Sequence, residues 1–199
     1  MYERTTHAIV LAGGKGQRLG GCLKATLTIG DSTLGDRVIS VLNPLVSGDI
    51  IIVAPESVPA PTGTQRVMES PPGGGPMAGL AAGIRRVEAT GDDDLVFVVA
   101  VDTPGIIRTA KPLVEAARAA VDRGFDGVTA QGSADFIQHL HACYRLKSLA
   151  EVIDASPNTH HRSVKKVLAP LNLRALTVAD ADCRDVDTPE DLHYWRVSL

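Results

Sequence analysis

Short, continuous runs of apolar residues rich in Val and Ile restrict most strongly how this chain can fold. Three such runs lie at residues 8–12, 49–54 and 95–101. Apart from Asp49 at the start of the second run, each run is apolar at every position, which indicates a strand buried on both faces, as in a parallel sheet. Apolar residues at three- and four-residue steps indicate intervening and following helices at 33–43, 76–89 and 109–123. Strands that alternate with helices predict an α/β fold with a mostly parallel, doubly wound sheet.

The second half of the chain continues this alternation less regularly. Thr188, Pro189 and Asp191 predict a helix start, because Thr can cap, Pro suits the first turn and Asp takes the third position of a capping box. The predicted strands are 125–130, 139–146 and 174–178, and the predicted helices are 147–155, 161–169 and 188–197. Ligands of such sheets bind beyond the carboxyl ends of the strands, so we expect functional residues there.

Composition excludes several classes of function. The net charge is −3 at pH 7, whereas a nucleic-acid surface needs clustered Lys and Arg. The cysteines (Cys22, Cys143, Cys183) lie far apart without C-x-x-C spacing, so neither a disulfide framework nor a cysteine-based zinc site is predicted. The apolar run after the first seven residues is too short for a signal peptide, and no run approaches the roughly 20 apolar residues of a membrane span. We expect one soluble, cytoplasmic domain over residues 1–199, with no nucleic-acid or membrane partner.

The segment Leu11–Lys24 joins glycines to cations directly after the first predicted strand. It contains five glycines, with Lys15, Arg18 and Lys24 among them. Glycine lets the backbone approach a ligand closely and the cations offset phosphate charge, so the segment predicts a phosphate cradle. A P-loop is excluded because Cys22 and Leu23 stand where Lys and Ser or Thr belong, and Leu19 breaks the dinucleotide fingerprint. The alternative is a flexible loop at a strand end.

Two carboxylate segments follow predicted strands. Asp102 comes directly after the run 95–101, at the expected sheet edge, and carboxylates suit Mg²⁺, which a nucleoside triphosphate carries. Asp185 and Asp187 flank Val186 and would point the same way. The alternative for Asp102 is an N-cap of the following helix, and the alternative for the second segment is capping of the last helix by Asp187 or Thr188.

Further candidates come from glycines and histidines. Glycines at 73–75 and Gly79 stand at a predicted helix start, where backbone amides can hold a base or a ribose. His139 and His141 would share one face of a strand, which together with residues 160–161 allows a weak zinc hypothesis. Arg162 and Ser163 open a predicted helix and could bind an anion there. The alternative is that they form a solvated surface.

Four motifs, taken in order, resemble the molybdenum cofactor guanylyltransferases, the MobA-like branch of the nucleotidyltransferase superfamily. They are L-A-G-G-x-G-x-R-L-G-G-x-x-K at 11–24, G-P-M-A-G at 75–79, V-D-T-P at 101–104 and D-V-D-T-P-E-D-L at 185–192. The resemblance implies a Rossmann-like, three-layer nucleotidyltransferase fold. It also implies Mg²⁺-dependent transfer of GMP from GTP to the phosphate of molybdopterin, with release of pyrophosphate. The first half of the chain would bind the nucleotide and the second half the acceptor.

The resemblance assigns a role to each motif. Main-chain groups of Leu11, Ala12, Gly13 and Gly14 would hold the nucleoside, and Gly75 and Gly79 would line the base and ribose pocket. Arg18 would hold the β- and γ-phosphates, and Lys24 would neutralise charge at the α-phosphate. Asp102 would hold Mg²⁺ with Asp187 as second ligand, while Arg162 and Ser163 would bind the acceptor. Transient contact with molybdenum cofactor biosynthesis proteins or acceptor enzymes is a further implication.

Two alternatives stay open. Gly13 favours guanine, because cytidylyltransferases tend to have Ala there, but D-x-D-T-P-E-D also occurs in molybdopterin cytidylyltransferases. The chain could therefore be a cytidylyltransferase for molybdopterin or another phosphorylated small molecule. Leu23, Ser70 and Val101 depart from the residues usual in the relatives, and the first two replace carboxylates. The second alternative is accordingly a nucleotide-binding chaperone or regulatory protein without turnover.

Overall fold

A seven-stranded sheet with helices on both faces forms the body of the protein. The computed structural model describes residues 4–133 and 136–199. The strands are β1 (Thr6–Leu11), β2 (Lys15–Gly16), β3 (Cys22–Leu23), β4 (Thr28–Ile29), β5 (Ser32–Thr33), β6 (Ile50–Val53), β7 (Gln65–Val67), β8 (Leu95–Ala100), β9 (Gly127–Gln131), β10 (Ile137–Arg145) and β11 (Leu173–Thr177). The helices are α1 (Leu34–Leu42), α2 (Pro76–Ile84), α3 (Ile106–Val121), α4 (Leu146–Asp154), α5 (Val164–Val167) and α6 (Pro189–Ser198).

The order of the strands fixes where a ligand can bind. The large sheet runs β11-β9-β10-β8-β1-β6-β7, while β2 pairs with β3 and β4 with β5 in two small hairpins. Strands β7, β6, β1 and β8 are parallel, and β10 runs antiparallel between β8 and β9. Leu11 pairs with both Val53 and Ala100, so β1, β6 and β8 end level with one another. The chain order reverses between β1 and β8, which is the position where open α/β sheets bind ligands.

The apolar strands are buried because each face of the sheet carries its own layer of helices. Ala8 and Val10 of β1 face a cluster that includes α1, α3 and α6. Ile9 faces the other cluster, which includes α2, α4 and α5. Gly83 lets α2 pack closely on β1, since a Cβ at this position would lie 2.8 Å from Cγ2 of Ile9. The predicted three-layer fold with a mostly parallel sheet is confirmed.

The end of the chain returns to the carboxyl end of β8. Gly105, just before α3, packs so tightly on the segment Asp180–Cys183 that a Cβ there would lie 2.2 Å from the Asp182 carbonyl oxygen. The capping box that the sequence predicts for the last helix is confirmed, because Thr188 and Asp191 each bond the backbone of the other. These contacts bring the segment before α6 to the same edge of the sheet as the ends of β1 and β8.

Two helices differ from their predicted bounds, and one strand of the large sheet was not predicted. The helix predicted at 76–89 ends at Ile84, where the chain turns so that the Glu88 N–H reaches the Asp49 carboxylate, 3.0 Å away. The helix predicted at 161–169 shrinks to α5, because His161 has a φ of 54° and donates its N–H to the Gly74 carbonyl. No apolar run marks the edge strand β7, whose sequence is Gln-Arg-Val.

No helix among the described residues is long and apolar enough to cross a bilayer. Residues 1–3, which begin the segment in which no signal peptide is predicted, lie outside the described part of the chain.

Candidate active site

A cleft of about 710 Å³ opens at the carboxyl ends of β1 and β8. Its walls come from the loop after β1, the end of β8 and the start of α2. Of the residues predicted from the sequence, it is lined by Leu11, Gly13, Gly14, Lys24, Gly75, Gly79 and Asp102. Ala12 is buried beneath it, with its N–H bonded to the Val53 carbonyl and so unavailable to a ligand. The structure thus brings three of the four sequence motifs together at one edge of the sheet, and the contacts of Lys24 below add the fourth.

The glycine-rich segment after β1 forms a small hairpin. Strands β2 and β3 pair through Lys15 with Leu23 and Gly16 with Cys22, and Gly21 N–H bonds the Gly16 carbonyl at 2.8 Å. Gly20 and Gly21 have φ values of 81° and 76°, a backbone conformation that favours glycine. The hairpin ends at Lys24, whose N–H bonds the Gly14 carbonyl at 3.1 Å. The glycines therefore build an ordered turn that delivers Lys24 to the cleft.

The Lys24 ammonium lies between two carboxylates from distant parts of the chain. Its Nζ donates to Oδ2 of Asp102 at 2.5 Å and also to Oδ1 of Asp187. The Lys24 side chain is 10% exposed, that of Asp102 18% and that of Asp187 57%. The ion pair of Lys24 with Asp102 is therefore more buried than its ion pair with Asp187. Burial alone would lower the pKa of Lys24, but the hydrogen bonds and charges of the two carboxylates outweigh it and raise the pKa. Lys24 therefore stays protonated and supplies a positive charge to the cleft.

Backbone contacts explain how Asp187 reaches Asp102. Val186 donates its N–H to the Asp102 carbonyl at 2.8 Å, which docks the segment before α6 directly on the end of β8. Thr103 adds a side-chain bond, donating its hydroxyl to Oδ1 of Asp185 at 2.9 Å. Partial desolvation, and next the negative charge of Asp102, raise the pKa of Asp185 to about 6.

The capping alternatives do not account for these carboxylates. Helix α3 follows Gly105 without a side-chain cap, so Asp102 does not cap it. Helix α6 is capped by Thr188 and Asp191, which leaves the Asp187 carboxylate for Lys24. Asp102 and Asp187 consequently take part in one three-residue cluster with Lys24.

The start of α2 forms the opposite wall. Gly75 precedes the helix with a φ of 86°, Pro76 at the first position has no N–H, and no side chain caps the first turn. Gly79 lies close under the sheet, since a Cβ there would be 3.3 Å from Cγ1 of Val53 and 3.4 Å from Cδ2 of Leu11. A side chain at position 79 would therefore narrow the cleft between α2 and β1.

Three other predicted residues lie apart from the cleft. Arg18 is exposed on the hairpin. Arg162 lines a separate groove between α4 and α5 with Lys166, and the Ser163 hydroxyl caps α5 by accepting the Lys166 N–H at 3.4 Å. Among the described residues no group of three or more His, Cys, Asp or Glu side chains is arranged to hold a metal ion, so His139 and His141 build no zinc site there.

The donor set at Lys24 fits Mg²⁺ that arrives with phosphates. Oxygens of Asp102 and Asp187 already converge on one cation, the Lys24 ammonium. Mg²⁺ commonly takes only one or two protein carboxylates and completes its six ligands with water and substrate phosphates. A pair of carboxylates beside the glycine-rich hairpin fits that requirement without a third protein ligand.

Glu69 was not among the predicted site residues, although it lines the cleft. Its Oε1 accepts the Gly73 N–H at 3.0 Å, and its Oε2 would lie 3.9 Å from a Cβ at Gly79. The residue follows β7, and the sequence gives no apolar run to mark that strand. Only the position of Glu69 shortly before the glycine cluster could have identified it.

Comparison with known proteins shows the family of the chain. The family described as MobA-like NTP transferase domain matches residues 8–176. A probable molybdenum cofactor guanylyltransferase from Opitutus terrae is 30% identical over 195 residues, which cover 95% of this chain and 87% of that protein. A molybdenum cofactor guanylyltransferase from Acidiphilium cryptum is 39% identical over 103 residues, 49% of this chain and 50% of that protein. The second alignment thus spans about half the length of that relative.

Solved structures show the same fold. The crystal structure of molybdopterin-guanine dinucleotide biosynthesis protein A from Archaeoglobus fulgidus matches with a TM-score of 0.71 and 20% identity. The match covers 96% of this chain and 97% of that one.

Proposed function

The chain belongs to the MobA-like NTP transferase family, and we propose that it transfers GMP from GTP to the phosphate of molybdopterin in a Mg²⁺-dependent reaction that releases pyrophosphate. The observation that carries this proposal is the cluster of Lys24, Asp102 and Asp187 beside a glycine-rich turn. Nucleotidyl transfer needs little covalent chemistry from the protein, so catalysis comes from positioning and from charges placed near the phosphates. This cluster supplies such charges.

In the proposed reaction, an oxygen of the acceptor phosphate attacks the α-phosphorus of GTP in line. A new P–O bond forms as the bond from the α-phosphorus to the bridging oxygen breaks, and pyrophosphate leaves with that electron pair. The Lys24 ammonium would bind the α-phosphate oxygens, and Arg18 on the hairpin would approach the β- and γ-phosphates. Asp102 and Asp187 would hold Mg²⁺, which supplies charge neutralisation and orientation of the phosphates when bound. No side chain has to form a covalent intermediate.

The wall of the cleft supports guanine as the base. At Gly13 the nearest atoms to an added Cβ would be the Val53 carbonyl oxygen, 3.9 Å away, and Cδ of Pro55, 4.0 Å away, so the absent methyl group leaves space for a purine. Glu69 adds a chemical argument, because a carboxylate can accept hydrogen bonds from two adjacent donors. The N1–H and N2 amino groups of guanine form such a pair, whereas the pairing edge of cytosine offers one amino group.

Transfer to a second phosphorylated acceptor, or from CTP, is the main competing proposal. The Asp185 and Asp187 motif is the observation that favours it, since the same motif occurs in the cytidylyltransferase relatives. A protein without turnover is the other alternative. Leu23, which replaces a carboxylate of the relatives, packs against the core cluster of α1 and α3. Because the neighbouring Lys24 still reaches both carboxylates, the site keeps the charges that turnover needs.

The experiment is a transfer assay with purified protein, Mg²⁺, molybdopterin and either GTP or CTP, followed by measurement of the dinucleotide product and of pyrophosphate. We expect product from GTP, and a rate at least about 100-fold lower after Asp102→Asn, because a ligand of the proposed Mg²⁺ is lost. Asp31→Asn is the matched control, since it makes the same change at an exposed turn outside the cleft. Product from CTP and none from GTP would replace guanylyl transfer by cytidylyl transfer. Nucleotide binding without any product would favour the alternative that the protein binds nucleotide but has no turnover.

Three further predictions from the sequence belong to this proposal. The first half of the chain would hold the nucleotide, and the second half, with Arg162 and Ser163, would hold the acceptor. The protein would work in the cytoplasm. Proteins of molybdenum cofactor biosynthesis or acceptor enzymes would contact it transiently.

A further inference from the structure

The ammonium of Lys24 occupies the point where the two carboxylates converge. Its Nζ contacts oxygens of both Asp102 and Asp187, so one cation joins the end of β8 to the segment before α6. The proposed function places a divalent cation on these same two carboxylates. An ammonium and a divalent cation cannot both sit there, because their charges repel strongly at such short separation.

Lys24 also has a second position within reach. Its backbone N–H bonds the Gly14 carbonyl, and its Cδ lies 3.9 Å from where a Cβ of Gly14 would be, so the side chain runs along the phosphate cradle. The side chain is 10% exposed, and a buried ammonium needs an anionic partner. Phosphate oxygens in the cradle would provide that partner and let Nζ leave the carboxylates.

We propose that Lys24 sets the order of binding: in the nucleotide-free protein its ammonium blocks the carboxylate pair of Asp102 and Asp187, and a divalent cation binds there only after nucleotide phosphates attract the ammonium away. The inference rests on the proposed function for the identity of the two ligands. It concerns the order in which the two ligands bind. Removal of the Lys24 charge therefore creates a cation site that binds without nucleotide.

The test is titration of Mn²⁺ into nucleotide-free protein, with free Mn²⁺ measured by electron paramagnetic resonance. We expect Lys24→Met to bind Mn²⁺ at least about tenfold more tightly than the unaltered protein, since the competing cation is gone. Lys15→Met is the matched control: Lys15 lines the same cleft but is exposed, and within the described part of the chain both carboxylates pair with Lys24 and not with Lys15. This variant changes the net charge equally, so a purely long-range effect would tighten binding in both variants. Equal tightening in the two, or none in Lys24→Met, would overturn the proposal.

Two further variants locate the site and guard against misfolding. Lys24→Gln keeps a polar N–H donor group without a charge, and we expect the same tightening if the Met variant does not fold. Adding Asp102→Asn to either variant should return Mn²⁺ binding to the weak level of the unaltered protein. Tight binding that survives Asp102→Asn would place the ion elsewhere and contradict the proposal.

A measurement on the unaltered protein completes the test without any substitution. In thermal unfolding, GTP with a chelator should raise the midpoint, Mn²⁺ alone should not, and both together should raise it most, because a ligand stabilises only the state that it binds. Mn²⁺ alone raising the midpoint as much as Mn²⁺ with GTP would overturn the proposed order. These titrations need no acceptor and no turnover. Tight Mn²⁺ binding by Lys24→Met together with no GMP transfer by the unaltered protein would remove only the proposed function, whereas GMP transfer by the unaltered protein without that tightening would remove only this inference.

Discussion

Asp94 offers a stringent test of how the amino ends of β1 and β8 are held together. The side chain is 3% exposed and accepts four hydrogen bonds: from Thr5 N–H at 3.2 Å, from Thr90 N–H at 2.6 Å, from the Thr90 hydroxyl at 3.0 Å and from Gly91 N–H at 2.9 Å. Asp94→Ala leaves the three backbone N–H groups without this acceptor, while the Thr90 hydroxyl keeps its contact with the Thr5 hydroxyl. At roughly 1–1.5 kcal/mol for each lost partner, the free energy of unfolding should fall by about 3–5 kcal/mol.

The pH dependence of this loss follows from the pKa of Asp94. Burial alone would raise that pKa, but the bonds from Thr90, Gly91 and Thr5 outweigh burial and lower it from its ordinary value of 3.8. A lowered pKa in the folded state contributes stability above pH 3.8, and this contribution disappears as the pH falls through the folded-state pKa. The difference in the free energy of unfolding between the unaltered protein and Asp94→Ala should therefore be constant near neutral pH. It should become smaller below about pH 4.

Urea unfolding followed by circular dichroism, at pH 7 and at successive acidic values, measures both effects. Asp93→Ala is the matched control, because Asp93 is the adjacent residue but is 49% exposed and pairs with Arg4 and Arg145 at the surface. Exposed pairs contribute little, so this variant should cost less than about 1 kcal/mol. The reasoning is refuted if the two variants cost the same, or if the cost of Asp94→Ala does not narrow in acid.

Three other substitutions test separate features. Gly105→Ala should lower the free energy of unfolding by about 2–3 kcal/mol in urea titrations, because its Cβ would collide with backbone atoms of Asp182, 2.2 Å away at the nearest; unchanged stability would contradict the packing described. Trp195→Ala should lower the free energy of unfolding by about 3–5 kcal/mol, because the fully buried ring and its N–H bond to the Arg184 carbonyl are lost. Trp195→Phe should lower it less, and urea unfolding followed by circular dichroism measures both. Glu69→Gln should lower the ratio of GTP to CTP use in the transfer assay by about tenfold, and an unchanged ratio would exclude Glu69 from base selection.

The sequence predicted the parts of the fold that rest on local patterns. The runs that became β1, β6 and β8 are apolar throughout because both faces of the sheet are covered, and that pattern is visible without a structure. The edge strand β7 lacked this signal. An edge strand pairs with a neighbour on one side only and is less buried, so polar residues such as Gln65 and Arg66 are tolerated in it. The prediction of a helix at 161–169 was wrong for its first residues. The His161 N–H bonds the carbonyl of Gly74, which is far away in sequence, and this contact holds the chain in a turn.

The site was predictable to the same extent. Sequence position placed Asp102 and the glycine-rich segment at one edge of the sheet, because parallel strands end together. The contact of Lys24 with both carboxylates could not be predicted in this way. It depends on the hydrogen bond from the Val186 N–H to the Asp102 carbonyl and on the close packing of Gly105 against Asp182. Both contacts join residues about 80 positions apart in the sequence. Glu69 was missed for a related reason, since the strand that carries it has no local signature.

GMP transfer measured directly tests the central claim, that Lys24, Asp102 and Asp187 form a guanylyl-transfer site. Purified protein would be incubated with Mg²⁺, molybdopterin and GTP labelled at the α-phosphate, beside an identical reaction with labelled CTP. We predict that label from GTP enters the molybdopterin product with an equal amount of pyrophosphate, and that Lys24→Met and Asp102→Asn each abolish this transfer. Transfer that persists in both variants, or label that enters from CTP and never from GTP, would contradict the account.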